Sequence, residues 1–187
     1  MWLAFFILGQ VFTLISYLIF WISRFLKNKN NILLWDNISR LVAIVAFLFL
    51  GTYDGIKNTL YVILRNTLGQ ITNKKKRNYK IITFLIMFIL LILIYSFNFN
   101  GISTICVGIC GILNLYGTIM CDEQGIRIFG MIGSSFYTAF MFFTGNIVGT
   151  ICEIICFVVM LSSYLKYRNK KELDYYERKK SSSINKK

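Results

Sequence analysis

Proline and histidine are both absent from these 187 residues. Without proline, no helix is expected to be kinked or hinged by that residue. Without histidine, the commonest metal ligand and the usual acid–base group near neutral pH are missing. Both roles would have to fall to other residues, which weighs against metal sites, cofactors and enzymes. Charge is scarce as well, at 16% of residues with only 8 acids. A soluble domain of this length needs more to cover its surface. What is abundant is apolar, at 56%. The few charges are segregated, with long uncharged stretches broken by clusters of Lys and Arg. Hydrocarbon excludes charge and loops collect it, so the pattern suits a bilayer. The net charge of +13 could suit a nucleic acid. The cations fall between and after apolar runs, as topology signals do, and no nucleic-acid partner is expected.

The runs order into seven spans: Trp2 to Ile22, Ile32 to Leu50, a third ending near Leu68, Ile81 to Phe97, Ile102 to Met120, Ile126 to Phe143, and Ile147 to about Leu165. The first has no basic residue before it and no small-residue cleavage site after it, so it reads as an uncleaved helix. Neutral turns are expected at Asn98-Phe-Asn-Gly101 and Thr144-Gly-Asn146, and a basic loop at Asn73 to Lys80. From Lys166 onward the tail is basic, helical at first and then disordered. On alternate loops, 19 of the 21 basic residues fall on one side, among them Arg24, Lys27, Lys29, Arg65 and Arg127. Lys57 falls alone on the other side, and Arg40 lies within a span. That asymmetry predicts an outside N-terminus and a cytoplasmic C-terminus. Trp21 and Trp35 flank the first basic loop, as interfacial tryptophans do. The basic loop and tail are expected to meet anionic lipid; self-association stays open.

Gly51-x-x-x-Gly55 and Gly145-x-x-x-Gly149 each close one span and open the next, 94 residues apart. At that offset spans one to three match spans five to seven, and span four is left as a linker. An odd linker helix sets the halves parallel. The fold class expected is all-α: a polytopic membrane protein of about seven transmembrane helices, in two parallel three-helix bundles joined by a linker helix. The divisions are a first bundle over 1–72, the basic loop and linker over 73–100, a second bundle over 101–167, and a tail over 168–187. The four glycines are expected to let helices pack closely.

Leu50-Gly-Thr-Tyr-Asp-Gly55 with Arg65 downstream, then Arg127, then Gly145-x-x-x-Gly149-Thr-x-x-Glu153 and a basic residue near Arg168, follow one another in order. On these residues the chain resembles the YgjV family of bacterial inner-membrane proteins, from the first span to about Arg168. The resemblance implies an inner-membrane location and names no chemistry. The three-plus-one-plus-three layout also resembles that of SWEET sugar transporters and PnuC vitamin-precursor transporters. That likeness is one of topology. The prolines that SWEET-like proteins use as hinges are missing, and Asn58 is the one remnant of the asparagine such folds place in the last helix of a bundle.

The five cysteines include two pairs at i,i+4, Cys106 with Cys110 and Cys152 with Cys156. They read as small packing residues rather than a metal or redox site. Asp36 and Arg40, acid first at i,i+4, favour a helical ion pair. Arg65, toward the end of its span, is expected to snorkel to lipid phosphates. Glu153 lies at span depth with no basic residue three or four positions away, so its partner must come from another span or it must be protonated. Arg40 and Glu153 approach from opposite sides and are expected to share one polar region between the bundles. Asn58, Asn114, Ser134, Ser135 and Tyr137 are further polar groups at depth. A substrate-binding set of Asp36, Arg40, Asn58, Arg65, Asn114, Tyr137 and Glu153 follows. The function expected is carriage of a small solute along a central polar path, the alternative being a scaffold or partner-binding protein. An enzyme is not expected, because paired carboxylates at depth and a nucleophile–base pair are lacking.

Overall fold

The computed structural model describes residues 2–51, 53–96, 101–143 and 147–184. The turns expected over 98–100 and 144–146, and Gly145 with them, lie outside the described residues. The helices are α1 (Trp2–Arg24), α2 (Lys29–Leu50), α3 (Tyr53–Thr72), α4 (Arg77–Ser96), α5 (Ile102–Met120), α6 (Glu123–Phe143) and α7 (Ile147–Ile184). The chain is therefore an all-α, polytopic membrane protein. Five of its helices are long and apolar enough to cross a bilayer: α1, α2, α4, α6 and the first part of α7. The described apolar stretch of α5, Thr104–Met120, is shorter. α3 falls short because Lys57, Asn58, Arg65, Asn66 and Gln70 interrupt it. Its neighbours bond three of them, Asn58 to Tyr95 of α4, Asn66 to Asp36 of α2 and Gln70 to Asn30 of α2.

Two helix ends carry a device the sequence supplies. Asp122 accepts the amide of Gly125 on Oδ1 at 2.9 Å, capping the start of α6. Gly51 ends α2 in the left-handed region, at φ +67°. Contacts across the bundle fix the directions. Gln70 and Asn73 reach Asn30, so the end of α3 lies beside the start of α2. Lys29 reaches the Cys121 carbonyl, which brings the end of α5 to the same level. One end of the bundle thus gathers the basic turns; the opposite end, where α2 stops at Gly51 and α5 starts at Ile102, is termed the neutral end.

α1, α2 and α3 pack in sequence, as do α5, α6 and α7, while α4 lies against α5 and α3. The two groups meet where α3 touches α5 and α1 touches α7. Tyr61, Val62, Met87, Leu91, Leu115 and Ile119 form the core shared by α3, α4 and α5. Met131, Cys156 and Met160 join α6 to α7, with Tyr17, Phe20 and Trp21 of α1 against them. The outside is aliphatic, as with Leu85, Ile86 and Ile89 on α4, whereas Arg127, Lys29, Asn66 and Asp36 are among the most deeply buried side chains. Such a distribution is stable where hydrocarbon, not water, covers the surface.

Four cations expected at the surface are buried instead. Lys29 leaves its loop to donate from Nζ to the Cys121 carbonyl at 2.7 Å, and its amide donates to Glu123. Arg127 donates to the Leu26 carbonyl at 2.7 Å, to Ser163 Oγ at 2.8 Å and to the Arg24 carbonyl at 3.3 Å. The end of α1 leaves carbonyls unpaired, and this guanidinium fills them. Arg65 does not snorkel; it is 6% exposed and turns inward. Arg24 does the same. The tail also differs, since α7 continues to Ile184 as helix. No glycine or proline interrupts residues 166–184, and Lys, Glu and Arg there favour helix.

Candidate functional site

Asp36 is the hub of a buried polar cluster. Its Oδ2 accepts from Arg24 Nη2 at 3.1 Å and from Asn66 Nδ2 at 3.0 Å, and its Oδ1 accepts from Arg40 Nε at 3.3 Å. The Arg40 bond is the helical pair expected from spacing. The others come from α1 and α3. Asn66 relays the contact outward, because its Oδ1 accepts from Arg65 Nε and Nη2 at 3.2 and 2.9 Å. Phe20 lies against two of these guanidinium groups, 4.1 Å from Arg24 and 5.3 Å from Arg40 to the ring centre. The ring face is the negative part of its quadrupole and favours that placement.

Across from this cluster stands Glu153 on α7. Tyr17 donates to its Oε1 at 3.0 Å, and Ser134 lies 2.7 Å from its Oε2. The same Ser134 hydroxyl lies 3.2 Å from the backbone carbonyl of Glu153. That arrangement serves two protonation states. With a carboxylate, the hydroxyl donates to Oε2; with a carboxylic acid, it accepts from Oε2 and donates to the carbonyl. Among the described residues, the ion pairs at this level are those of Asp36, and none includes Glu153.

Two cavities lie between the clusters. One, of about 90 Å³, is walled toward the basic end by Arg24, Arg65, Asn114 and Met160. The other, of about 130 Å³, is walled toward the neutral end by Gln10, Thr13, Leu50 and Val148. Phe20, Arg40, Asn58, Tyr137 and Glu153 line both. These five side chains are therefore the partition between two chambers stacked along the helix axes. At roughly 10–15 Å³ per water, each chamber has room for several waters or a few heavy atoms of solute.

Of the seven residues expected to form a substrate set, six line the first chamber: Arg40, Asn58, Arg65, Asn114, Tyr137 and Glu153. Asp36 stands behind it and holds the arginines. Asn58 accepts from Tyr95 at 3.1 Å, and Asn114 donates to the Cys110 carbonyl at 3.0 Å and approaches Cys110 Sγ at 3.2 Å. Ser135 is exposed and bonds back to Met131. Sequence reasoning missed Tyr17, Arg24, Tyr61, Asn66 and Tyr95. In the sequence Arg24 reads as a topology signal, and the others carry no spacing that marks them.

A family model described as bacterial inner membrane protein, Imp-YgjV, matches residues 7–171. The chain belongs to the YgjV family. Every residue of the two chambers in this YgjV protein lies inside the matched segment. No curated protein and no solved structure matches it.

The cysteines are free and mostly buried. Cys156 receives Trp21 Nε1 at 3.0 Å. At the α5–α6 turn, burial and then the Asp122 carboxylate push the Cys121 thiol up from its ordinary range, so it is a poor nucleophile. Among the described residues, no group of three or more Cys, Asp or Glu side chains is placed to hold a metal ion.

Proposed function

We propose that this YgjV protein carries a small polar solute across the inner membrane between its two three-helix bundles. The observation that supports this is the pair of stacked chambers with one polar partition, Phe20, Arg40, Asn58, Tyr137 and Glu153. Each chamber opens the way to a different end of the bundle, and rearranging five side chains would connect either one to the solute. Charged groups at bilayer depth are costly, at least about 2.5–3.5 kcal/mol each by insertion scales, and are retained where they face a path or a partner. The proposal is not an enzymatic one.

An internal repeat would give the carrier its two halves. Its support is positional. α2 begins at Lys29 and α6 at Glu123, α3 at Tyr53 and α7 at Ile147, both 94 residues apart. Exchanging the halves also exchanges the α3–α5 contact with the α1–α7 contact. The proposed orientation keeps the basic end in the cytoplasm, against anionic lipid.

The scaffold reading has its own support in the Asp36 cluster, where three helices are tied by one carboxylate. Proteoliposomes separate the two. Vesicles loaded with a polar extract of bacterial cytosol should lose at least one solute, measured by mass spectrometry, only when the protein is present. The Glu153→Gln variant should abolish or uncouple that loss. Identical retention with and without correctly folded protein favours the scaffold.

A further inference from the structure

The chamber nearest the basic end has more positive charge in and behind its wall than negative. Arg24, Arg40 and Arg65 are all lining residues, and a single aspartate, Asp36, stands behind them. Glu153 faces them from the opposite wall, bonded to hydroxyl groups and to no cation. With Glu153 ionised the site holds three positive and two negative charges; with it protonated, three and one. Either count leaves an excess of positive charge inside a membrane protein, where an uncompensated charge is expensive.

Donors are left over as well as charge. Arg40 spends only Nε on Asp36, and its side chain is 33% exposed, toward the chambers it lines. Arg65 is 6% exposed and gives Nε and Nη2 to one amide oxygen, Asn66 Oδ1, with no carboxylate as its own partner. Arg24 Nε is buried without a hydrogen-bond partner among the described residues. Buried guanidinium groups are ordinarily paired with an anion, commonly through two parallel hydrogen bonds. Here the three guanidinium groups line one chamber, so an anion within it would lie among them.

We propose that this chamber binds a small oxyanion, a carboxylate or phosphate group, between Arg65 and Arg40. The inference rests on the carrier reading and names the substrate class for the same site. Arg65 supplies the charge that lacks a counter-ion, and Arg40 closes the site from the partition shared with the second chamber. Asp36 and Asn66 hold the two guanidinium groups apart and prevent either from collapsing onto the other's acceptor. Tyr61 and Tyr95, also on the wall, leave room for a short apolar body behind the anionic group.

The test uses the full chain in a neutral detergent at constant ionic strength. Acetate and inorganic phosphate are compared with acetamide, which matches acetate in shape and carries no charge. Binding is read by calorimetry and by thermal shift. The expected result is that acetate or phosphate binds and stabilises while acetamide does not. Arg65→Gln should weaken the anion by about tenfold or more, and Arg65→Lys should restore part of it, since charge returns without the planar fork. If Arg65→Gln does not fold, the acetate-against-acetamide comparison on the unmodified chain still decides. Equal binding of acetate and acetamide, or binding of none of acetate, phosphate and phosphatidylglycerol, overturns the proposal. Binding of phosphatidylglycerol in place of both soluble anions keeps the oxyanion site, assigns it to a lipid headgroup and removes the carrier reading. Protein-dependent efflux of neutral solutes alone removes the oxyanion and leaves the carrier standing.

Discussion

Asp36 and Glu153 are both acids at bilayer depth, and their partners predict opposite responses to substitution. Asp36 holds two guanidinium groups and an amide. Asp36→Ala strips Arg24 and Arg40 of their carboxylate, and breaking a buried pair in this way costs about 3–5 kcal/mol. The low end applies because Arg40 is part-exposed. A clear fall in Tm in detergent is expected, and an unchanged Tm would mean the cluster contributes little to the fold. Glu153→Gln leaves every hydrogen bond in place: the amide oxygen accepts from Tyr17, and the amide nitrogen donates to Ser134, which turns to the backbone carbonyl. Its Tm should stay within about 3 °C of the unmodified chain, under 1–2 kcal/mol for a domain of this size. A larger drop would show that the carboxylate charge itself stabilises the fold. The Asp36–Arg40 pair was legible because one helix carries both residues at i,i+4. Arg24 and Asn66 were not, since their shared acceptor lies on another helix and no local spacing encodes it. The same reason hid Tyr17, which meets Glu153 across 136 residues of chain.

Helix contacts rest on small residues, at positions only partly those that the repeat pattern singled out. Gly55 lies against Phe47, and Gly149 is buried at the start of α7. Gly51 meets nothing within 4 Å; its positive φ is what calls for glycine there. The close approaches lie elsewhere. A Cβ on Gly69 would stand 2.6 Å from Thr118 of α5, and one on Gly133 would stand 2.7 Å from Asn114. α1 and α2 cross through paired hydroxyls, Ser16 donating to the Ser39 carbonyl at 3.0 Å and Ser39 to that of Ser16 at 2.9 Å. In a bilayer such contacts replace the hydrophobic force that drives helices together in water. Gly69→Leu should therefore lower stability by about 1–3 kcal/mol through overpacking. Gly108, with open space around it, is the control: Gly108→Ala should be neutral or gain up to about 1 kcal/mol of helix propensity. Equal effects at the two sites would contradict this packing. The spans themselves were legible to within a few residues at most ends, because hydrocarbon demands long uncharged runs. α3 was the hardest to place, as its polar face finds partners on α2 and α4 that no local spacing encodes.

The charge asymmetry that orders the whole molecule survives the burial of Arg24, Lys29, Arg65 and Arg127, since all four still lie in the basic half. A reporter fused to the C-terminus should be active as a cytoplasmic reporter and silent as a periplasmic one; the reverse would invert the proposed orientation. The order of seven helices was legible from the uncharged runs and the turns between them. The chambers were not, because a cavity is a property of how helices lean together and leaves no trace in composition. Their partition carries the central claim, and Asn58 is the residue best placed to test it, since it lines both chambers. In a cysteine-free background, Asn58→Cys should react with a small membrane-impermeant thiol reagent applied from either side of sealed vesicles. Labelling from both sides is the outcome predicted for a carrier. Labelling from neither side, in protein that is folded and reacts fully once denatured, would contradict a path between the bundles.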